Sequence, residues 1–263
     1  MKEVRALLLA AGLGTRLHPL TDEWPKCLMP IGERPLLEYW LETLKLTNVR
    51  EVLVNLHHHS EILQEFLNRP RFKDWVHPVY EETLLGTAGT LRANKDFFLN
   101  CTTLLVHADN WCQCNFAEFL NFHHKHRPEH CLITMMTFES PTPETCGIVK
   151  TDAKGVVLAL HEKSKKLHGK QANGAVYLLE PEVIEWIGNC TDIVDFSTEV
   201  LPHFIGRIAT WKNTEIHKDI GVLPMLLQAQ LDPQPISCWP DIDLWQKEFL
   251  SNPIHQQITK TLV

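Results

Sequence analysis

Arg16, Lys26 and Asp109 are the side chains whose types and positions could do chemistry. Arg16 closes the run AAGLGTR at residues 10–16, in which Gly12 and Gly14 punctuate a turn after an apolar stretch. Backbone N–H groups exposed by such a loop can surround phosphate oxygens. A guanidinium can bind those oxygens bidentately, and Lys26 adds a mobile point charge. The combination fits a triphosphate. Two familiar phosphate loops do not: the dinucleotide fingerprint needs a glycine where Leu17 stands, and a Walker loop needs Gly-Lys followed by Ser or Thr, which is absent. Asp109 ends the apolar run TTLLVHADN, which places a carboxylate at the carboxyl edge of a sheet, where ligands of α/β proteins collect.

The elements that must carry these residues alternate between strand and helix patterns, which predicts an α/β fold with a mixed, mostly parallel sheet covered by helices. Residues 4–10 form a nearly continuous apolar run suited to a buried first strand. A helix is expected over 35–46, with Leu37, Trp40, Leu41 and Leu44 on one face. Strands follow at 51–56, 76–81 and 102–110, and Ser60 can cap a helix between the first two. Residues 116–126 suit a helix, 131–138 a strand, and 148–163 a hairpin turning at Asp152 to Gly155. The alternation continues through 173–211 to HKDIG at 217–221 and a helix near 222–231, after which DPQPISCWP changes the composition. The main domain is therefore placed at 1–231, with 232–263 as an extension packed on it.

Whole-chain composition narrows the function class. The chain has 263 residues, 44% hydrophobic and 22% charged, and a formal charge of -7. That balance argues against broad electrostatic binding to nucleic acid or an anionic membrane, so an anionic ligand must be held locally. No stretch approaches the length of a membrane span, and the expected location is the cytoplasm. The eight cysteines are scattered, which favours reduced thiols over a disulfide framework. Cys112 and Cys114, with His123, His124 and His126 downstream, invite a zinc reading, but the spacing is not that of a zinc knuckle. The run His57 to His59 reads as a polar strand end.

The segment AAGLGTRLHPLTDEWPKCLMP resembles the GxGTR…PK signature of the sugar-phosphate nucleotidyltransferases, and the likeness continues in the family's order through LGTAGTL, LVHADN, EKS, NGAVYLL and HKDIG. It implies a single Rossmann-like nucleotidyltransferase domain, with nucleoside triphosphate and sugar 1-phosphate as partners and magnesium as cofactor, in a monomer or homodimer. The resemblance assigns Ala10, Ala11, Gly12, Gly14, Thr15 and Arg16 to the triphosphate, and Lys26 to charge near the reacting phosphates. Asp109 and Asp219 become the magnesium ligands. Gly86, Thr87, Ala88 and Gly89 line the nucleotide pocket, while Gly147, Glu162, Lys163 and Asn173 hold the sugar phosphate. The chemistry asks for such a mixture, because phosphoryl transfer depends on positioning and charge stabilisation rather than on a protein nucleophile.

The stretch EETLLGTAGTL at 81–91 resembles that of guanylyltransferases acting on mannose 1-phosphate and related sugars. Glu82, or its neighbour Glu81, could accept from the N1 and N2 donors of guanine. GTP and a mannose-like hexose 1-phosphate are the expected substrates, with UTP and an amino-sugar phosphate as the runner-up pair. A catalytically silent nucleotide-sugar-binding relative is the competing reading. Retention of Lys26, Asp109, Lys163 and Asp219 argues against it.

Overall fold

The structure, a computed structural model, describes residues 2–161 and 169–260. β1 (Val4–Leu9) leads through a loop to the small hairpin of β2 (Pro30–Ile31) and β3 (Arg34–Pro35), then to α1 (Leu36–Leu46), β4 (Glu51–Leu56), α2 (Ser60–Leu67) and β5 (Val76–Tyr80). α3 (Thr87–Ala93) precedes β6 (Thr102–His107), β7 (Asn110–Cys112), α4 (Phe116–Lys125) and β8 (Ile133–Glu139). β9 (Ile148–Thr151) and β10 (Val157–His161) come next, followed by β11 (Gln171–Leu179), α5 (Pro181–Asn189) and α6 (Leu201–His203). β12 (Ile208–Lys212), β13 (His217–Asp219), α7 (Leu223–Ala229), α8 (Leu244–Leu250) and α9 (Pro253–Lys260) follow in turn. The expected mixed sheet with flanking helices is present.

The chain gathers into two compact units interleaved in sequence: residues 1–7, 85–106 and 113–217 form the first, and residues 8–84, 107–112 and 218–263 the second. β11 is the central strand of the first unit. It runs antiparallel to β6 on one side and to β8 and β9 on the other, and β12 extends the sheet in parallel with β8. β9 and β10 form the expected antiparallel hairpin. The register of β11 against β8 shifts between Asn173 and Tyr177, and Ala175 there takes a left-handed φ of 52°. Asn173 holds this bulge: its Oδ1 accepts from Ala175 N at 3.0 Å and its Nδ2 donates to Tyr177 Oη at 2.7 Å.

In the second unit β4 pairs in parallel with β5. Val52, Leu53, Val54 and Leu56 of β4 are all buried, as expected of a strand covered on both faces. α1 begins at Leu36, because Pro35 is extended at ψ 145° and the helix starts after it. The expected apolar stripe of Leu37, Trp40, Leu41 and Leu44 is fully buried, each side chain contributing about 2 kcal/mol relative to exposure. Residues beyond 232 belong to this unit. Phe249 stacks on Trp245 and Trp24, and Arg69 donates to Asp243 at 2.8 Å while pairing with the buried Glu38.

One boundary differs from expectation in a way that matters. The strand expected over 102–110 stops at His107, and Ala108 and Asp109 turn the chain into β7. Ala108 N still donates to Leu9 O at 3.1 Å, so the turn begins where the strand ladder ends. Asp109 therefore projects from a turn at the strand's carboxyl end.

Candidate functional site

The loop after β1 is shaped by two polar anchors. Asn55, 4% exposed near the end of β4, accepts from Ala10 N at 2.7 Å and from Ala11 N at 3.3 Å. Buried amides need such a partner, and an unsatisfied one costs about 1–3 kcal/mol. At the far end Gly14 adopts a left-handed φ of 65°, and a Cβ there would lie 2.8 Å from Thr21 Cγ2. Glycine is thus required on both backbone and packing grounds. Thr21 Oγ1 donates to Gly14 O at 3.0 Å, while the rings of His58 and His59 reach Thr21 O at 3.2 and 3.1 Å. The histidine run at the end of β4 braces this loop.

Lys26 lies on a single helical turn, Lys26–Leu28, entered through the extended Pro25. Its side chain is only 8% exposed, and it brings two distant carboxylates together. Nζ donates to Asp109 Oδ2 at 2.5 Å and to Asp219 Oδ1 at 3.1 Å. Arg16 Nη2 donates to the other oxygen of Asp219 at 3.2 Å, and Gly221 N donates to Asp219 Oδ1 at 2.8 Å. Burial pushes the Asp219 carboxyl up, but Lys26, Arg16 and the Gly221 amide outweigh it and hold the group below its ordinary value. Gly221 leaves room for this convergence: a Cβ there would stand 2.6 Å from Arg16 Nη2, 2.7 Å from Asp219 Oδ1 and 2.8 Å from Lys26 Nζ. Cys27 offers no nucleophile, because burial, followed by the nearby Asp109, pushes its thiol up to about 12.

Two carboxylates facing one another across a cation suit a hard divalent ion, which takes oxygen ligands and keeps positions for water and phosphate. Among the described residues no group of three or more His, Cys, Asp or Glu side chains is placed to hold a metal. Asp109 and Asp219 therefore fit magnesium only as a pair of protein ligands whose remaining positions go to water and phosphate oxygens.

The second unit thus brings Arg16, Lys26, Asp109 and Asp219 together in one cluster, with Ala10 and Ala11 anchored behind it. Gly12 faces open space, and a methyl group added there would meet no atom within 4 Å. Glu82 is exposed, whereas Glu81 is 4% exposed and accepts from Asn55 Nδ2 at 3.0 Å. In the first unit the amides of Ala88 and Gly89 both donate to Val194 O, at 2.8 and 3.3 Å, and Thr87 Oγ1 accepts from Phe196 N at 2.7 Å. Gly86 and the first residues of α3, Thr87 to Gly89, which the sequence suggested as a glycine loop, are therefore packed against residues 193–196. Gly147 O accepts from Asn173 N at 2.9 Å, so these two candidates are backbone neighbours. Glu162 and Lys163 lie outside the described residues. Sequence reasoning did not single out Asn55, Thr21 or Gly221. Asn55 carried a signal, as the one polar side chain inside VLVNL.

A family model described as nucleotidyl transferase matches residues 5–234. A protein of Oryza sativa subsp. japonica named "Probable mannose-1-phosphate guanylyltransferase 3" is 32% identical over 192 residues, covering 70% of this chain and 52% of the relative. A Synechocystis UTP–glucose-1-phosphate uridylyltransferase is 28% identical over 245 residues, covering 86% of this chain and 62% of its own length. The chain spans about half the length of the guanylyltransferase relatives it matches. Among solved structures, a Bacillus anthracis protein described as a glucose-1-phosphate thymidylyltransferase, in complex with a sucrose, superposes with a TM-score of 0.80 at 18% identity, covering 93% of this chain and 99% of that one. At that identity the likeness is one of fold. No helix among the described residues is long and apolar enough to cross a membrane.

Proposed function

We propose, from the premise that the chain belongs to the nucleotidyl transferase family, that it transfers a nucleotidyl group from a nucleoside triphosphate to a sugar 1-phosphate. A phosphate oxygen of the sugar 1-phosphate attacks the α-phosphorus, the bond to the β-phosphate oxygen breaks, and pyrophosphate leaves with the electron pair. The observation that carries this reading is the convergence of Arg16, Lys26, Asp109 and Asp219 from separate segments of the chain onto contacts of 2.5–3.2 Å.

Each residue has work suited to its chemistry. The loop from Ala10 to Thr15 presents amides to the triphosphate, and Arg16 binds its outer phosphates bidentately. Lys26 moves from its two carboxylate partners to the charge that develops as the α-phosphorus is attacked. Asp109 and Asp219 hold magnesium, which when bound neutralises phosphate oxygens and polarises the phosphorus. Gly147 and Asn173, with Glu162 and Lys163, bind the sugar phosphate. The Gly86 to Gly89 segment contacts the nucleotide through groups other than the amides of Ala88 and Gly89.

GTP and a mannose-like hexose 1-phosphate are the proposed pair, supported by the guanylyltransferase names among the relatives. A second reading, UTP with another sugar 1-phosphate, is favoured by the longer stretch matched in the uridylyltransferase. A cytoplasmic monomer or homodimer is part of the proposal. Pyrophosphate release, measured with five triphosphates against a panel of sugar 1-phosphates, tests the reaction and its substrates. Magnesium-dependent release with one pair is expected, and no release with any pair overturns the enzyme reading in favour of a silent binding protein.

A further inference from the structure

We infer that Asp232 is a positioning residue that fixes the spacing of the Asp109 and Asp219 carboxylates, an inference that rests on the nucleotidyl-transfer reading above. Asp232 follows α7 and makes bonds in two directions. Its Oδ2 accepts from Trp111 Nε1 at 2.9 Å, and Lys218 Nζ donates to both of its oxygens at 2.6 Å. Trp111 stands two residues beyond Asp109 on β7, and Lys218 immediately precedes Asp219 on β13. These two strands pair as a short ribbon.

Successive side chains of a strand point to opposite faces. Lys218 turns toward Asp232, and Asp219 turns the other way, toward Lys26 and Arg16. A single carboxylate behind the cluster thus ties down both strands that deliver the acidic pair. The anchor is rigid. Trp111 is 1% exposed and packs edge-on against Tyr39 with ring centroids 4.8 Å apart, and Trp40 Nε1 donates to Asn110 O at 2.8 Å. The Asp232 side chain is only 15% exposed, so solvent screens its pairing with Lys218 weakly. Groups bonded directly to metal-binding side chains are worth about 10–100-fold in metal affinity, and Asp232, which acts one residue further back through Trp111 and Lys218, is expected at the lower end of that range.

The experiment uses manganese as the probe and reads binding rather than turnover. Calorimetric titration of the full chain with GTP, and in parallel with UTP, is done without sugar phosphate, once with manganese and once with EDTA. In the parent protein manganese tightens binding of the preferred triphosphate. Asp232→Asn is expected to cut that metal-dependent gain about tenfold while affinity in EDTA stays within about twofold, and Asp232→Glu is expected to restore part of the gain. Lys218→Met, which removes the other end of the pair, is expected to behave like Asp232→Asn and carries the test if that variant fails to fold. An unchanged gain in the folded variants overturns the inference, as does an equal loss with and without metal, the mark of a merely structural role. If the parent protein shows no gain with manganese and no pyrophosphate release, the nucleotidyl-transfer reading itself falls and takes this inference with it.

Discussion

Lys26 Nζ donates to Asp109 Oδ2 at 2.5 Å although the two residues stand 83 positions apart. The contact places an ammonium against the two carboxylates that would hold a divalent cation, so their negative charge balances the lysine here and would balance the metal when it is bound. Asp109→Asn and Asp219→Asn keep the shape of each side chain and remove one charge. Each is expected to fold, with a melting temperature within a few degrees of the parent, and to lose about 10²–10³-fold in turnover at saturating substrate. Parent-like turnover in either variant refutes the assignment of that residue.

Lys26 and Lys163 should fail in different ways. Lys26 acts on charge that grows during attack, so Lys26→Ala lowers kcat, whereas Lys163 is assigned to ground-state binding of the sugar phosphate, so Lys163→Ala raises the sugar-phosphate KM. Steady-state kinetics with the sugar phosphate varied separates the two. A kcat loss in Lys163→Ala with KM untouched contradicts this division.

Gly221 offers a cleaner test of the cluster's geometry. A methyl group there meets the ends of Arg16, Asp219 and Lys26 within 2.8 Å, and all three are side-chain termini able to swing aside. Gly221→Ala should therefore cost little stability but displace the convergence, with turnover falling at least tenfold, since small misplacements near reacting groups are expensive. Equal losses of melting temperature and turnover would mean that the residue matters to the fold alone.

How far the sequence reached can be read from these same residues. Asp219 was singled out only through the family resemblance of HKDIG, whereas Arg16, Lys26 and Asp109 were singled out from patterns with a local cause, a glycine loop with two cations and an apolar strand ending in a carboxylate. The helix face of α1 and the strands β4 and β5 were legible from periodicity for the same reason. Asn55 was not, because its value lies in two amides of another segment, and only the packing of β4 beside the loop creates that demand. Nor was the engagement of Ala88 and Gly89 with Val194, more than a hundred residues away, since local glycine spacing says nothing of which carbonyl an amide finds. The antiparallel direction of β11 is likewise absent from its side-chain pattern, which for a buried strand is apolar in either direction.

Acid should weaken the first unit through Glu180. His123 Nε2 lies 3.2 Å from its Oε1, Lys2 donates to Oε2 at 2.7 Å, and Arg127 donates to Oε1. The contact with His123 leads, and with Lys2 and Arg127 it outweighs burial to hold this carboxyl far below its ordinary value of 4.5. The stabilisation is full above the unfolded value, shrinks as pH falls below about 4.5 and is gone once pH passes below the folded value. Glu180→Gln is expected to cost about 2 kcal/mol near pH 7, and the gap from the parent should narrow steadily from pH 5 to pH 3. Denaturant titrations across that range check it, and a gap that widens in acid contradicts the sign.

The choice of base falls on the acidic pair after β5, where the two carboxylates have different surroundings. Glu81 is buried and accepts from Asn55, which in turn holds the Ala10 and Ala11 amides, so its charge is committed to the loop's architecture. Glu82 is exposed and therefore keeps the freedom to meet a ligand. If Glu82 accepts from the N1 and N2 donors of guanine, GTP is preferred over UTP by about 10² or more, because a site built to hydrogen-bond one base leaves polar groups unpaired with another. Glu82→Gln should then reduce the GTP-to-UTP ratio of kcat/KM about tenfold, the equivalent of one lost hydrogen bond of ~1.4 kcal/mol, with UTP turnover little changed. Glu81→Gln should instead lower stability and raise KM for both triphosphates together. If Glu81→Gln changes the ratio and Glu82→Gln does not, the base-reading role passes to the buried neighbour, and a parent preference for UTP overturns the guanine assignment altogether.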